Sequence, residues 1–379
     1  MKRLYIFLLY GLLSFYLYGQ KPNDPIHYVA LDSIEAQEAW ALTTGKPSIS
    51  IAIVDRKFYI DNEDLKNKID TICGVPGNES EHGTMVAGIA AAETNNGKGI
   101  SSIGYNSRLG LYQFDLGEQG TDTGLVRKAI LEAVKNGHRI INVSLHRTEL
   151  SRKDVQDMTQ KGIILVLAAG NLPDANSHVY IGDIPGVIIV SAVDSTGRFA
   201  ARCAQNAQVD LCAPGNGLQS TYNNLLPYYP YNIYPATSFS APFVAGTVAL
   251  MLAVNPDLTA GSVERILKET SKSFLADDPY CESDSIGAGR LNAHAAVLGA
   301  IEKGTKSYKN WEGHLPLQEE YASSMFRLGN YYNDDEYNLD GYEVIISKGH
   351  SVFRTNYAVE LYEGFSVLED ADLDIEILD

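Results

Sequence analysis

The chain of 379 residues has few cysteines, fewer basic than acidic side chains and no internal repeat. Its 30 Lys and Arg residues face 47 Asp and Glu residues, so the net charge is −17 and a nucleic-acid partner is excluded by charge repulsion. No C-x-x-C spacing occurs among the four cysteines, which argues against structural zinc or a redox dithiol. The apolar share of 45% excludes wholesale disorder, and we expect no organic cofactor.

Long uncharged apolar runs are also rare, and we expect none as apolar as the one at the N terminus. Leu4 to Tyr18 follows the basic pair Lys2 and Arg3, and its length of about fifteen residues suits a signal peptide better than a membrane span of about 20. We therefore predict a signal peptide at 1–19, with an uncleaved anchor as the alternative. The mature protein is expected to be soluble and either secreted or held at the cell surface.

The four cysteines fit an oxidising compartment. They are Cys73, Cys203, Cys212 and Cys281, and four cysteines allow three pairings. Cys203 and Cys212 are nine residues apart and would close a small loop, which leaves Cys73 with Cys281. The alternative is four buried free thiols, which an exported chain makes less common.

Short apolar runs alternate with helical segments between Ser48 and Leu298. Such runs, apolar on both faces, are typical of parallel strands that helices cover on each side. The segment from Thr123 to Asn136 is amphipathic and ends at Gly137, which indicates a helix. The pattern predicts a doubly wound α/β fold with a mostly parallel sheet and helices on both faces. The predicted strands are 51–54, 109–112, 140–144, 163–167 and 187–190.

The sequence changes character after residue 300. The last 79 residues carry −11 of the −17 charge, and tyrosines crowd 321–342 without a helical or strand period. Apolar and charged residues alternate near the end, at Leu373, Ile375 and Ile377. We predict a main domain at 20–300, an acidic linker at 301–342 and a small C-terminal β module at 343–379.

Three short motifs carry side chains suited to nucleophilic chemistry. Asp55 ends a buried strand, at the edge where ligands of open α/β sheets bind. His82 opens a segment of small residues that should be helical, and Ser238 lies just before a second helix, with Pro242 in its first turn. Each residue alone is more easily explained as a cap or a surface group, but the three motifs together reverse that judgement.

Together these motifs resemble the subtilisin-like serine proteases, and especially the thermitase-like branch. The resemblance extends from about Asn23 to Leu298 and follows the family order Asp, His, Ser. It rests on the runs Asn23-Asp-Pro25, Ala39-Trp-Ala-Leu-Thr-Thr-Gly45, His82-Gly-Thr-Met-Val-Ala-Gly88, Asn142-Val-Ser-Leu145, Ala168-Ala-Gly-Asn171, Val209-Asp-Leu-Cys-Ala-Pro-Gly215, Thr237-Ser-Phe-Ser-Ala-Pro242 and Gly289-Arg-Leu-Asn292.

The resemblance implies a secreted serine endopeptidase that acts on polypeptides through an acyl-enzyme. It assigns Ser238 as the nucleophile, His82 as the base and Asp55 as the residue that orients the histidine. It also assigns the Asn171 side chain, with the Ser238 backbone N–H, to an oxyanion hole. Substrate would pair with the backbone of Ser144 and Leu145 and place a side chain in a pocket lined by Ala168, Ala169 and Gly170.

The resemblance also implies a structural calcium site. The ligands expected from the family are Asp24, Asp64, Asn96 and the carbonyls of Thr94, Lys98 and Ile100. Carboxylate, amide and backbone oxygens suit Ca²⁺. The alternative is a calcium-free Asn-Gly turn in which Asp64 acts as a cap.

Several positions depart from the family pattern. Arg56 and Lys57 replace a hydroxyl residue and a glycine, Ala236 replaces a glycine, and His146 and Arg147 stand where glycines are usual. His146 would narrow the cleft or favour an acidic or aromatic substrate group. These departures keep open an inactive pseudoprotease that binds peptides or acts as a scaffold.

The tail resembles a short β motif at the ends of some secreted bacterial proteins. The resemblance starts at Ala358-Val-Glu-Leu-Tyr-Glu-Gly-Phe365 and implies contact with the cell surface or the secretion machinery. A solvated acidic strand pair is the alternative. We expect the protein to be a monomer.

Overall fold

The computed structural model describes most of the chain between residues 21 and 377. The described residues are 21–26, 29–74, 81–114, 124–173, 178, 180–194, 196–200, 202–223, 228–231, 236–279, 285–308, 313–314, 320–328, 344–346, 349–361, 365–367 and 371–377. The predicted signal peptide at 1–19 and Cys281 lie outside them.

A sheet of seven parallel strands forms the centre of the main unit. Its order is β2-β3-β1-β4-β5-β6-β7, and every neighbouring pair is parallel. The strands are β1 (Ser50–Asp55), β2 (Ile69–Cys73), β3 (Arg108–Gln113), β4 (Ile140–Val143), β5 (Ile164–Ala168), β6 (Val187–Val193) and β7 (Leu211–Pro214). A separate antiparallel pair joins β8 (Leu218–Thr221) to β9 (Tyr228–Tyr231). All five predicted strands are confirmed to within three residues at either end.

Burial on both faces explains why these strands are continuously apolar. Ile51 and Ile53 on β1 are fully buried on one face, and Ala52 and Val54 are fully buried on the other. Ala52 and Val54 belong to a core cluster that also contains Ile130 from a helix packed on that face. The predicted doubly wound α/β fold is therefore confirmed.

Eight helices lie among the described residues. They are α1 (Val29–Ser33), α2 (Ala36–Leu42), α3 (Glu81–Ala91), α4 (Leu125–Lys135), α5 (Arg152–Gln160), α6 (Thr237–Val254), α7 (Ala260–Glu269) and α8 (Ala293–Gly304). Local signals set several ends. Ser151 and Asp154 form a reciprocal capping box at the start of α5, and Gly137 adopts φ +87° after α4.

The helix α6 begins at Thr237, two residues earlier than expected, so Pro242 lies inside the helix and not in its first turn. Proline has no N–H to donate to the carbonyl four residues earlier, which here belongs to Ser238. The Ser144 hydroxyl donates to that carbonyl at 2.8 Å and satisfies it. α6 is long and apolar enough to cross a membrane by length and composition, but its 18-residue window is wholly buried inside the protein.

Cys203 and Cys212, one of the pairings that the sequence left open, are both free thiols. Both are buried in one apolar cluster with Phe199, and the Cys212 thiol donates to the Ile286 carbonyl at 3.3 Å. Burial raises the pKa of Cys203 to about 12 and that of Cys212 well above its ordinary value, so neither ionises readily. Cys73 is also a free thiol, half-buried.

The described chain forms two compact units, and residues 299–379 belong to the second with 254–258. The second unit contains two parallel sheets, with orders β10-β12-β14-β16 and β11-β13-β15. Its strands are β10 (Thr305–Tyr308), β11 (Gly313–His314), β12 (Glu320–Leu328), β13 (Val344–Ile346), β14 (Gly349–Leu361), β15 (Phe365–Val367) and β16 (Ala371–Ile377).

The segment 301–342, which the sequence predicts as an acidic linker, contains β10, β11 and β12. Parallel pairing explains why the sequence did not predict strands there. β12 pairs with β14 across more than twenty intervening residues, and such distant partners leave no short-range sequence pattern. The alternation that predicted a strand near the C terminus is confirmed as β16.

Candidate active site

A cleft opens at the carboxyl edge of the sheet, where β1, β4 and β5 end side by side. Its volume is about 310 Å³. The position follows from the topology, because the carboxyl ends of adjacent parallel strands meet at one edge. The described residues that line it are Asp55, Arg56, His82, Ser144, Leu145, His146, Ala168, Gly170, Asn171, Thr237 and Ser238.

Asp55 and His82 form a hydrogen-bonded pair on the β1 side of this cleft. Asp55 is fully buried at the end of β1, and its Oδ2 lies 2.7 Å from His82 Nδ1 at the start of α3. The other carboxylate oxygen accepts the backbone N–H of Arg56 at 2.7 Å. A backbone donor thus holds the carboxylate at a position where the family hydroxyl is missing.

The close approach of α3 to the loop after β1 depends on Gly83. A Cβ at this position would lie 2.5 Å from the Lys57 carbonyl and 3.0 Å from the Asp55 Cβ. Neither Arg56 nor Lys57 has a positive φ, so the loop tolerates side chains where the family has a glycine. The small residue that this contact requires is therefore on the helix, next to His82.

Opposing effects set the proton affinity of His82. Burial by itself lowers the pKa of the imidazole, but the charge of Asp55 and its hydrogen bond outweigh burial and raise the pKa above its ordinary value. The charge of Arg56 opposes that rise. The ring remains reachable, because 37% of the His82 side chain is exposed.

Ser238 occupies the first turn of α6, on the floor of the cleft. Its hydroxyl donates to the Ser144 carbonyl at 3.2 Å. The next residue, Phe239, places its ring centroid 5.7 Å from that of His82, so the imidazole stands over the start of this helix. The backbone N–H of Ser238 lies in the first turn, where a helix provides no acceptor of its own.

Thr237 holds the Asn171 side chain through two hydrogen bonds. The Asn171 Oδ1 accepts both the Thr237 backbone N–H at 2.9 Å and the Thr237 hydroxyl at 3.1 Å. The Thr237 hydroxyl in turn accepts the Gly170 N–H at 3.0 Å, and Gly170 has φ +118°, which favours glycine. Because the Asn171 Oδ1 already accepts two hydrogen bonds, the amide N–H₂ of Asn171 is the group available to donate into the cleft.

The segment that follows β4 is held by hydrogen bonds to the Ser144 side chain and to the Leu145 backbone. The Asn142 amide donates to the Ser144 hydroxyl at 3.0 Å, and the buried His178 Nε2 lies 3.1 Å from the Leu145 carbonyl. A carbonyl only accepts, so Nε2 carries the proton. Burial lowers the pKa of His178 to about 4, which keeps the ring neutral near pH 7.

Most of the expected site residues line the cleft, and one does not. Ala168 and Gly170 are among the lining residues, but Ala169 is 1% exposed and belongs to the core cluster. The reason is alternation along an extended chain, which turns neighbouring side chains to opposite faces. Ala169 therefore does not line the cleft in this structure, and its predicted pocket role stays a prediction.

The sequence assigned no role to Arg56 or Thr237 and left two roles open for His146, and all three residues line the cleft. Arg56 and His146 were visible only as departures from the family pattern. Thr237 lay inside a recognised motif, but its partner Asn171 is 66 positions away. No spacing in the sequence predicts that contact.

Three of the expected calcium ligands, Asp24, Asp64 and Asn96, are joined by hydrogen bonds at the loop after α3. The Asp24 carboxylate accepts the backbone N–H groups of Asn95, Asn96 and Gly97 at 2.8, 2.9 and 3.2 Å, and the Ser101 hydroxyl at 2.8 Å. The buried Asp64 accepts the Asn96 amide at 3.1 Å and the Ile100 N–H at 2.9 Å. Thr94 and Lys98 belong to the same loop.

The oxygen atoms of this cluster suit Ca²⁺ as ligands, except that the Asn96 amide points the wrong way. Asp24 and Asp64 are buried, and hard oxygens of this kind suit the ion. The Asn96 amide is turned the other way, with nitrogen toward Asp64 and oxygen accepting the Lys98 N–H at 2.8 Å, so it must turn over to act as a ligand. Among the described residues no three His, Cys, Asp or Glu side chains cluster for a metal, so backbone oxygens would have to complete the shell.

A parallel sheet with Asp, His and Ser at its carboxyl edge, in that chain order, defines the class of subtilisin-like serine endopeptidases. Comparison with known proteins agrees with this class. The model of the subtilase family matches residues 46–297, and the chain belongs to that family.

Its relatives are named proteases. The chain is 31% identical over 270 residues to the thermophilic serine proteinase of Bacillus sp. strain AK1, covering 68% of this chain and 64% of that protein. It is 30% identical over 289 residues to thermitase of Thermoactinomyces vulgaris, covering 73% of this chain and 99% of thermitase. It covers 42% of an extracellular protease of Xanthomonas campestris pv. campestris at 32% identity, so several relatives are much longer than the matched region.

Solved structures agree on the fold. A protease from Pseudoalteromonas arctica matches with a TM-score of 0.62 at 28% identity, covering 74% of this chain and all of that chain. Fervidolysin from Fervidobacterium pennivorans matches with a TM-score of 0.60 at 24% identity, covering 71% of this chain and 45% of its own. The second likeness concerns the fold alone.

Proposed function

We propose that this protein is a secreted serine endopeptidase that hydrolyses peptide bonds through an acyl-enzyme. The observation that carries the proposal is the 2.7 Å bond between His82 Nδ1 and Asp55 Oδ2, in a cleft that Ser238 and Asn171 also line. An imidazole whose Nδ1 donates to a buried carboxylate presents a basic Nε2 to the cleft, and this arrangement activates a serine hydroxyl.

The chemistry begins with a rotation of the Ser238 hydroxyl from the Ser144 carbonyl toward His82. Such hydrogen bonds are often long or differently directed before substrate binds. Nε2 takes the hydroxyl proton as Oγ attacks the peptide carbonyl, and the resulting oxyanion accepts the Asn171 amide and the Ser238 N–H. The histidine then gives its proton to the leaving amine. Water repeats the sequence and releases the acid.

The backbone after β4 supplies the surface along which substrate lies. Ser144 and Leu145 line the cleft, and the hydrogen bonds from Asn142 and His178 support them. An extended peptide would add as a strand beside this segment and direct the side chain before the scissile bond toward Ala168 and Gly170. Those residues are small, which leaves room for a large apolar group.

The test is active-site labelling of Ser238→Ala beside a matched control. Ser240→Ala removes a buried hydroxyl that has no hydrogen-bond partner in the described part of the chain, two residues along the same helix. Wild type and S240A should react with a fluorophosphonate probe and digest casein. S238A should fail to label and lose at least about 10⁴-fold in rate. Labelling of S238A at the wild-type level contradicts the proposal, and tight peptide binding without any turnover indicates the pseudoprotease instead.

A structural calcium ion is the second part of the proposal. Asp24, Asp64, Asn96 and the carbonyls of Thr94, Lys98 and Ile100 would hold it. When bound, it would offset the negative charge of two buried carboxylates and stiffen the loop. Excess EGTA should lower the melting temperature of the wild type and leave Asp64→Asn unchanged. An unchanged wild-type melting temperature, together with no ⁴⁵Ca²⁺ retained on gel filtration, contradicts the site.

Secretion and the role of the C-terminal unit complete the proposal. Relatives are named extracellular proteases, which supports export directed by residues 1–19. We infer that the second unit contacts the cell surface or the secretion machinery, and that the peptidase unit acts as a monomer. A chain ending at Gly304 should shift from cells to medium in a fractionation of its native host. Light scattering that gives the mass of a dimer contradicts the monomer.

A further inference from the structure

The side of the cleft formed by β1 and β4 carries two exposed basic side chains. Arg56 follows Asp55 directly, and His146 follows Leu145, and both line the same cleft as Ser238. We call this pair the basic side of the cleft. It lies in a chain of net charge −17, so its sign is opposite to that of the protein as a whole.

Little within the cleft neutralises the basic side. Asp55 is the only carboxylate among the described lining residues, and it is fully buried and already accepts from His82 and the Arg56 backbone. Neither the Arg56 guanidinium nor the His146 ring makes an ion pair with a described residue. A guanidinium offers five N–H donors that match a carboxylate, and an imidazole offers at least one.

Sheet order places the basic side relative to a bound peptide. β4 lies between β1 and β5, so a peptide along Ser144 and Leu145 has Arg56 on one flank and Gly170 on the other. Side chains of an extended peptide alternate. When the residue before the scissile bond points toward β5, the second residue before it points toward β1 and Arg56.

We propose that the cleft selects peptides with Asp or Glu as the second residue before the scissile bond, and that Arg56 and His146 bind that carboxylate. This proposal rests on the proposed function, because it concerns the same cleft. It goes further by giving Arg56 a role and by choosing an acidic substrate group over the other roles that the sequence left open for His146.

The test uses four peptides that differ only at the second residue before the scissile bond, which is Glu, Gln, Leu or Lys. Wild type should show a kcat/KM for Glu about fivefold above that for Gln, the magnitude expected for one solvent-exposed charge pair. Arg56→Gln should bring the ratio to one, and Arg56→Glu should reverse the order so that Lys exceeds Gln. The ratio compares two substrates on one enzyme, so a change in His82 cancels.

The matched control is Arg147→Gln, which removes the same charge from an exposed arginine next to His146 that does not line the cleft. Its Glu-to-Gln ratio should stay at the wild-type value, whereas His146→Gln should lower the ratio in part. In about 1 M NaCl, where the Debye length is about 3 Å, the wild-type preference should shrink. Equal rates for Glu and Gln, or an equal loss of preference in R147Q, overturn the proposal.

A binding measurement distinguishes failure of this proposal from failure of the proposed function. Fluorescence anisotropy of the labelled Glu and Gln peptides with Ser238→Ala measures the preference without turnover. A preference in binding supports the basic side even when no peptide is cleaved, in which case only the endopeptidase assignment fails. Cleavage of all four peptides at equal rates, with equal dissociation constants, overturns the charge preference alone.

Discussion

The two sides of the cleft hold their functional groups by different physical means. On the β1 side, formal charges dominate, since the Asp55 carboxylate lies against His82 and Arg56 acts on the same ring. On the β5 side, neutral dipoles dominate, since Thr237 fixes both Gly170 and Asn171 through hydrogen bonds of 2.9 to 3.1 Å.

This difference indicates that the two sides of the cleft make different contributions to catalysis. The charged side sets the proton affinity of His82, and its effects should depend on pH and salt. The neutral side orients a donor, and its effects should depend on geometry and stay constant with pH. Variants on the two sides can therefore be told apart by the shape of their pH profiles as well as by rate.

The largest expected effect is on the charged side. Asp55→Asn removes the charge that raises the His82 pKa and offers an amide that favours the wrong tautomer, so kcat should fall about 10⁴-fold. Steady-state kinetics on a chromogenic peptide measure the loss. Asp157→Asn is the control, because it removes an exposed carboxylate that pairs with Lys153 away from the cleft and should keep full rate. A D55N rate within tenfold of wild type contradicts the role of Asp55.

The second largest effect is expected for Asn171, the hydrogen-bond donor on the neutral side. Asn171→Ala removes the amide that would face the oxyanion, and kcat should fall about 10²–10³-fold with little change in KM. The loss should be the same from pH 6 to pH 9, because no ionisable group is touched. A variant whose KM rises while kcat is kept would instead assign Asn171 to ground-state binding.

A smaller effect tests the support behind that donor. Thr237→Val keeps the shape but deletes the hydroxyl that joins Gly170 N–H to Asn171 Oδ1, so kcat should fall about tenfold. Thr237→Ser restores a hydroxyl and should recover most of the rate. If T237S is as slow as T237V, packing of the methyl group explains the loss and the hydrogen bonds do not.

The smallest effect is a shift of the pH profile. Arg56 opposes protonation of His82, so Arg56→Gln should raise the His82 pKa further and move the acidic limb of kcat/KM toward higher pH. The shift should be measured on a peptide without charged side chains and should fade in high salt. Arg147→Gln should leave the limb in place, and a limb that moves toward lower pH in R56Q contradicts the electrostatic role.

Much of the fold was predictable because its strands are buried on both faces. A strand such as β1 has no polar face, so a run of four apolar residues was enough to find it, and Asp55 marked its end. The C-terminal unit was harder to predict. β12 pairs with β14, which lies far along the chain, and the tyrosines of that region follow no period, so the sequence did not predict a strand there.

The candidate site was also predictable from the sequence only in part. Asp55, His82, Ser238 and Asn171 lie in motifs whose order in the chain points to one chemistry. The burial of Ala169 was not predicted, because a motif gives residue types but not the direction of each side chain. The absence of a Cys203–Cys212 bond shows a similar limit, since nine residues of separation do not fix how two thiols face each other.

The sequence by itself determined the class of fold and the chemical types at its active edge, because apolar periodicity and local motifs are properties of neighbouring residues. Only the tertiary structure decided that Thr237 orients Asn171, that the Ser144 hydroxyl satisfies the carbonyl freed by Pro242, and that Arg56 and His146 share one cleft. Those relations join residues tens of positions apart. They exist only once parallel strands have brought their carboxyl ends to the same edge of the sheet.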